Sequence, residues 1–267
     1  MQEMNSWDLK SVVFVILLTA GLSACINLPE KQTVTTESQT ENAHIESTPR
    51  SANWNVPASW QQGVVSGSWQ HFTFPGKTPT AYKIDQVDGR DAIWANSQST
   101  SSAIRSDVNL EVNQIGRLKF SWKVPAHLQD ADVTVPELDD SPVRVFLTFE
   151  GDRNKFSAKN ALVSEMANLL LGEPLPYATL VYLWSKRQPL GSVILGQRTD
   201  RVRNIVIESG SENLNKWLDY ERDIRADYEK AFGEKPGKLL RIALMTDSDN
   251  TKSQTTAWYG APRFVVK

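Results

Sequence analysis

The sequence predicts a mainly β domain of two packed antiparallel sheets with two short peripheral helices, and three observations carry that expectation. From Trp54 onward, runs rich in Val, Ile, Phe, Tyr and Trp recur about every ten residues. Clusters of Gly, Pro, Asn and Asp, the residues that supply turns, separate them. Only two stretches break the series with helical spacing.

In chain order the first candidate strands are 69–74, 81–87, 92–96, 103–112 and 118–124, each bounded by Gly, Pro, Asn, Asp or Ser. Strand 143–149 shows the period of two most clearly. Val143, Val145, Leu147 and Phe149 fall on one face, and Arg144, Phe146 and Thr148 on the other. Helix 158–171 follows, with Leu162, Met166, Leu169 and Leu170 at helical spacing, Gly172 as its stop and Pro174 behind it. That leucine stripe is expected to pack against a sheet. Strands 179–184, 202–208 and 217–222 lead to helix 223–232, which Asp223 caps and Gly233 ends, with Ile224, Tyr228 and Phe232 on one side. Strands 239–245, 256–259 and 264–266 close the chain. About a dozen short strands suit two packed sheets.

Ahead of the domain, a lone Lys10 precedes an apolar run at 12–20 and then Leu22-Ser23-Ala24-Cys25. The run is shorter than the about 20 residues that span a bilayer, so residues 1–24 read as a cleaved signal peptide. The tetrapeptide resembles the bacterial lipobox, which implies lipid attachment at Cys25. Cys25 is the only cysteine, so no intramolecular disulfide can form, and lipidation removes a free thiol from an oxidising compartment. Ile26 stands where an Asp would retain a lipoprotein at the inner membrane of enteric bacteria. By that resemblance the chain is anchored at the outer membrane, facing the periplasm. Residues 25–53, rich in Thr, Ser, Glu and Gln, bury too little to offset their ordering entropy and read as a flexible tether. Residues 54–267 read as one domain.

A net charge of -2 argues against nucleic acid as a partner. The domain's histidines are His71 and His127, and it has no cysteine, which all but excludes zinc; no nucleophile elbow, phosphate loop or dinucleotide fingerprint accompanies them. Three constellations remain. Asp139, Asp140 and Arg144 form either a groove that grips an anionic or hydroxyl-rich ligand, or an ion pair that fixes a loop. Asp247, Asp249 and Asn250 offer the hard oxygens that calcium prefers, and equally the residues that tight turns use. Tyr182 with Trp184, and Trp258 with Tyr259, would stack on sugars if exposed on a concave sheet, and are core if buried.

The ordered set Asp139-Asp140-x-x-x-Arg144, Tyr177-x-x-Leu180-Val181-Tyr182-Leu183-Trp184, Glu221-Arg222-Asp223-Ile224-x-x-Asp227-Tyr228 with Phe232-Gly233, Met245-Thr246-Asp247-x-Asp249-Asn250-Thr251 and Ala257-x-Tyr259-Gly260 resembles a bacterial family catalogued as domain of unknown function 3047. The resemblance runs from about Trp69 to the C-terminus. It implies an exported domain with no established activity. Its last strands are similar to those of jelly-roll carbohydrate-binding modules, in which a loop before the final hairpin holds a structural cation. The expected fold is therefore a jelly-roll-like sandwich. One departure is Ala261-Pro262, where an acid is expected after the Tyr-Gly pair.

The leading expectation is a non-catalytic binding module for a glycan or another envelope component. Arg144, Tyr182 and Trp184, with Asp139 and Asp140, would contact the ligand, and Asp247, Asp249 and Asn250 would hold calcium. It requires Arg144, Tyr182 and Trp184 to border a cleft. The rivals are an enzyme acting on envelope polysaccharide with Asp139 or Asp140 as acid or base, and a structural lipoprotein that meets a protein partner through a flat apolar patch.

Overall fold

The computed structural model describes residues 51–61 and 68–266. The signal peptide at 1–24, Cys25 and the tether up to residue 50 lie outside the described residues. No helix among the described residues is long and apolar enough to cross a membrane.

Two sheets form a sandwich. The eight-stranded sheet has the order β1 (Ser51–Asn53), β2 (Gln70–Thr73), β5 (Ser102–Leu110), β12 (Leu239–Asp247), β7 (Ser141–Phe149), β8 (Ala178–Ser185), β10 (Val202–Ser209) and β9 (Val193–Leu195). The six-stranded sheet has the order β11 (Trp217–Asp223), β6 (Arg117–Lys123), β13 (Gln254–Tyr259), β4 (Arg90–Gln98) and β3 (Ala81–Val87), with β14 (Arg263–Val265) paired to β6. Every predicted strand is present. β1 and β9, of three residues each, are not predicted, β1 because it falls in the segment read as a tether. Pairing of Ser51 with Phe72 carries the sheet a few residues upstream of Trp54. The pairing is antiparallel except between β8 and β10, which run parallel because β9 takes the outside place and β10 returns between them.

The alternation read on β7 holds. Val143, Val145, Leu147 and Phe149 are fully buried against Ile93, Ala95, Trp122, Ala257 and Tyr259 of the other sheet. β8 is buried along its whole length. Leu180, Tyr182 and Trp184 join the core between the sheets, while Leu183 meets Val133 and Val206 on the outer side. Val133 belongs to the segment before β7, so that segment covers this part of the outer face.

Helix α1 (Ala158–Leu171) begins where the Ser157 hydroxyl accepts from the Asn160 N–H and ends at Gly172, whose φ of 74° only glycine adopts freely. Its packing reverses the expectation. Leu162 and Leu169 are 49% and 76% exposed, and the buried stripe is Asn160, Ser164 and Ala167. The Asn160 side chain donates to Asp200 at 2.5 Å and accepts from Thr199 at 2.8 Å, so hydrogen bonds to the turn before β10, not leucine burial, orient the helix. Helix α2 (Ile224–Phe232) follows its prediction. Asp223 accepts from the N–H groups of Arg225 and Ala226 at 3.1 Å, and Ile224 and Tyr228 are fully buried.

The β3–β4 hairpin turns through Asp88 (φ 53°) and Gly89 (φ 74°), the paired left-handed geometry that suits the twist of a two-residue hairpin. Asp88 then meets Lys123 of β6 at 2.8 Å, and Arg90 meets Asp219 of β11 at 2.8 Å. The hairpin tip therefore leans across the outer face of the six-stranded sheet.

Candidate functional site

Ser141 pairs with Asp247, and this register brings the two aspartate-bearing loops of the sequence together. Arg144 is the hub. Its Nε donates to Asp247 Oδ1 at 3.2 Å, and its Nη2 donates to Asp139 Oδ1 at 2.7 Å and to the Asp139 carbonyl at 2.8 Å. Asp140 faces the β12–β13 loop, accepting from the Asn250 N–H at 3.2 Å, the Thr251 N–H at 2.7 Å and the Thr251 hydroxyl at 2.6 Å. Lys77, from the β2–β3 loop, pairs with Asp249. The first two constellations of the sequence are thus one polar joint, and Lys77, which no motif marks, is part of it.

Asp140, Asp247 and Asp249 are buried and each offers an oxygen within 4.8 Å of the others. With Asp139, four carboxylates meet two cations, Arg144 and Lys77. Burial pushes Asp247 well above the usual carboxylate range, Arg144 opposes the shift, and Asp140, Asp139 and Asp249 add to it. Burial works against the charge of Arg144 too, yet Asp247 and Asp139 outweigh it and hold the guanidinium above its ordinary value. The cluster gathers the hard carboxylate oxygens that calcium takes as ligands. Asn250 donates its side-chain amide to the Pro136 carbonyl at 2.8 Å, and Asp140, not counted among the expected cation ligands, joins Asp247 and Asp249 in the cluster. Ala261 lies elsewhere, in the cleft beside Gly260 and Arg263, so an acid at that position would not join Asp247.

Tyr182 and Trp184 are not ligand contacts. Both are fully buried. The Tyr182 hydroxyl donates to Asp227 at 2.8 Å, and Asp227 is gripped by Arg222 at 2.8 and 2.5 Å. Trp184 donates its indole N–H to the Gly210 carbonyl at 2.9 Å. Arg144 is 5% exposed, and the cavity beside Trp184 and Asp140 is about 10 Å³, room for about one water. The condition set on the sequence is not met, so a ligand at Arg144, Tyr182 and Trp184 is overturned. Alternation predicted the faces correctly, but nothing local shows that the Arg144 face is covered by loops.

His127 also lines this cavity, donating from Nε2 to the Gly210 carbonyl at 2.6 Å. Burial lowers its pKa below 6.5, Lys186 adds to the shift and the Gly210 bond opposes it. A depressed folded value means stability is present above the unfolded pKa and lost as pH falls through the folded one. Denaturation midpoints are expected to fall from about pH 7 to about pH 5. The slope should be shallower in His127→Gln, and an unchanged slope would assign it to other groups, His71 among them, which burial also lowers.

The outer face of the six-stranded sheet differs in kind. Ile93, Ala95, Ala257, Tyr259, Leu218 and Tyr220 turn toward the core, so the intervening Trp94, Trp258 and Trp217 face outward, half-buried. The Trp258 indole N–H donates to Asp85 at 2.9 Å. An open cleft of about 440 Å³ lies on the Trp217 side, lined by Gly89, Arg90, Ser121, Gly260 and Arg263 among others. A Cβ at Gly260 would stand 2.1 Å from Ser121 Oγ, so glycine is what lets the chain pass here. Of these tryptophans the sequence singled out Trp258 alone. The signal for Trp94 and Trp217 was available in the same alternation, each standing beside a residue of the core.

The family 11 carbohydrate-binding module of a cellulosomal cellulase of Clostridium thermocellum is 8% identical, with a TM-score of 0.37, and the match covers 74% of this chain and 88% of that one. The xyloglucanase domain of NopAA, a type three effector from Sinorhizobium fredii, is 9% identical with a TM-score of 0.40, covering 74% and 94%. A carbohydrate-binding module specific for non-crystalline cellulose is 11% identical with a TM-score of 0.36, covering 80% and 96%. The comparison with curated proteins returned no match. The model of the family described as protein of unknown function, domain of unknown function 3047, matches residues 67–263, which is most of the chain, and the protein belongs to that family.

Proposed function

We propose that the protein is a non-catalytic binding module of the cell envelope, held at the outer membrane by lipid on Cys25, with a glycan as its ligand. One observation carries the reading: the two sheets are treated differently. The acids and the arginine at one end of the central strands β12 and β7 of the eight-stranded sheet are sealed into a joint, where they hold each other and three loops. The six-stranded sheet keeps an outward face with half-buried indoles and an open cleft. A broad sheet face suits an extended ligand better than a small molecule, which a deep apolar pocket would suit. The test is affinity electrophoresis of the detergent-extracted full chain through gels containing soluble polysaccharides, with reducing ends assayed in parallel. Retardation without new reducing ends is expected; release of reducing ends would move the protein to the enzyme reading. In the same preparation Cys25→Ser should abolish incorporation of labelled palmitate.

The reading keeps a structural calcium, with Asp140, Asp247 and Asp249 as its protein ligands. Four carboxylates against two cations leave room for a divalent ion to balance the joint. Thermal unfolding of the full chain is expected to move upward in millimolar calcium relative to EDTA, and the shift should vanish in Asp249→Asn. Identical curves for wild type in calcium and in EDTA would leave Arg144 and Lys77 as the only counter-charges.

A further inference from the structure

Strand register aligns the outward side chains of the six-stranded sheet into a single row across its strands. Lys83 stands opposite Trp94, Trp94 opposite Trp258, Trp258 opposite Lys123, and Lys123 opposite Trp217. At about 4.8 Å per strand, Trp94 and Trp217 are about 14 Å apart, the length of about three sugar rings in a chain. The central indole is fixed in advance by its hydrogen bond to Asp85. Lys83 lies over the Trp94 ring at 4.6 Å and Arg90 over the Trp217 ring at 5.3 Å; both cations are exposed, so each caps a ring face from the solvent side and a stacking ligand must displace it.

Most charges of this face close on one another, Lys83 lying instead over the Trp94 ring. Lys123 pairs with Asp88, Arg90 with Asp219, and both Arg117 and Lys119 with Glu221. Asp85 is engaged by the Trp258 N–H. A phosphate-bearing polymer would meet no basic track here, which sets nucleic acid aside. Lys123 stands between Trp258 and Trp217, and Asn96 and Thr256 flank the adjoining pair Trp94 and Trp258, so the three indoles do not form the continuous apolar patch of a protein interface. What remains is a ligand with flat C–H faces for the rings and hydroxyl rims for the polar side chains.

We propose that Trp94, Trp258 and Trp217 form a stacking platform for an uncharged, unbranched polysaccharide that lies across the strands. This rests on the binding-module reading and names its site and ligand class. The probes are hydroxyethyl cellulose, xyloglucan and dextran, with polygalacturonate as the charged comparison, run against the full chain by affinity electrophoresis and by tryptophan fluorescence. At least one neutral polymer is expected to bind, with affinity unchanged by added salt and no preference for polygalacturonate. Trp258→Ala should weaken binding at least tenfold, and Trp94→Ala several-fold. Asp85→Ala, which releases the central indole without emptying the sheet, should weaken it as well, with melting temperature checked for each variant. If wild type binds a neutral polymer and all three variants bind it equally, the platform is wrong while the module reading stands. If wild type binds only polygalacturonate, in a salt-sensitive way, the ligand class is wrong. If wild type binds none of the polymers, the module reading falls and the platform with it.

Discussion

Arg144→Met is expected to cost the domain about 3–5 kcal/mol, the range seen when one partner of a buried ion pair is removed. Methionine keeps most of the stem volume, so the loss reports charge and hydrogen bonding more than a cavity. The substitution strands Asp247, whose Oδ1 is left with the Ser141 N–H at 3.2 Å, and it releases both the side chain and the carbonyl of Asp139. Lysine should rescue little, because Nε and Nη2 of one planar group reach two different residues, which a single ammonium cannot do. Asp247→Asn placed in the Arg144→Met background should recover part of the loss, since the stranded charge is then gone, and the two substitutions should be strongly non-additive. The measurement is chemical denaturation at constant slope. A cost under about 1 kcal/mol would mean that the joint does not hold the loops and that Arg144 is dispensable to the fold.

Arg144 also shows where the sequence stops being informative. Its face on β7 was legible from the alternation of Val143, Val145, Leu147 and Phe149, all fully buried. Its fate was not, because that depends on how the segment just before the strand folds back over its outer side, beside strands distant in sequence. Val133, Leu183 and Val206 meet there, from three elements that no local pattern connects. The same limit explains α1. Leucine spacing identified the helix and its ends, but the Asn160 contacts to Thr199 and Asp200 decide which side faces inward. The joint itself was half legible. Both loops were singled out, and the register of Ser141 with Asp247 unites them, which is a property of strand order and not of spacing along the chain.

Trp184→Ala is expected to cost about 3–5 kcal/mol, the range for deleting a buried large aromatic. The ring is fully enclosed between the sheets, the His127 ring meets it edge-on at 5.4 Å, and its N–H is spent on the Gly210 carbonyl. Removing it leaves a void where little can collapse, and one hydrogen bond fewer. Trp258→Ala should behave in the opposite way: a change in stability of about 1 kcal/mol or less, as for a substitution outside the core, with polysaccharide binding reduced. Residue type separates these two tryptophans not at all, and each lies on a strand that alternates. What separates them is the face each takes: Trp184 points between the sheets with Leu180 and Tyr182, whereas Trp258 stands between Ala257 and Tyr259 of the core and therefore faces outward. Denaturation midpoints and binding measured on the same two variants therefore test that assignment together. A Trp184→Ala variant that stays stable and loses ligand, beside a Trp258→Ala variant that unfolds, would invert it and return the ligand to the strand the sequence first suggested.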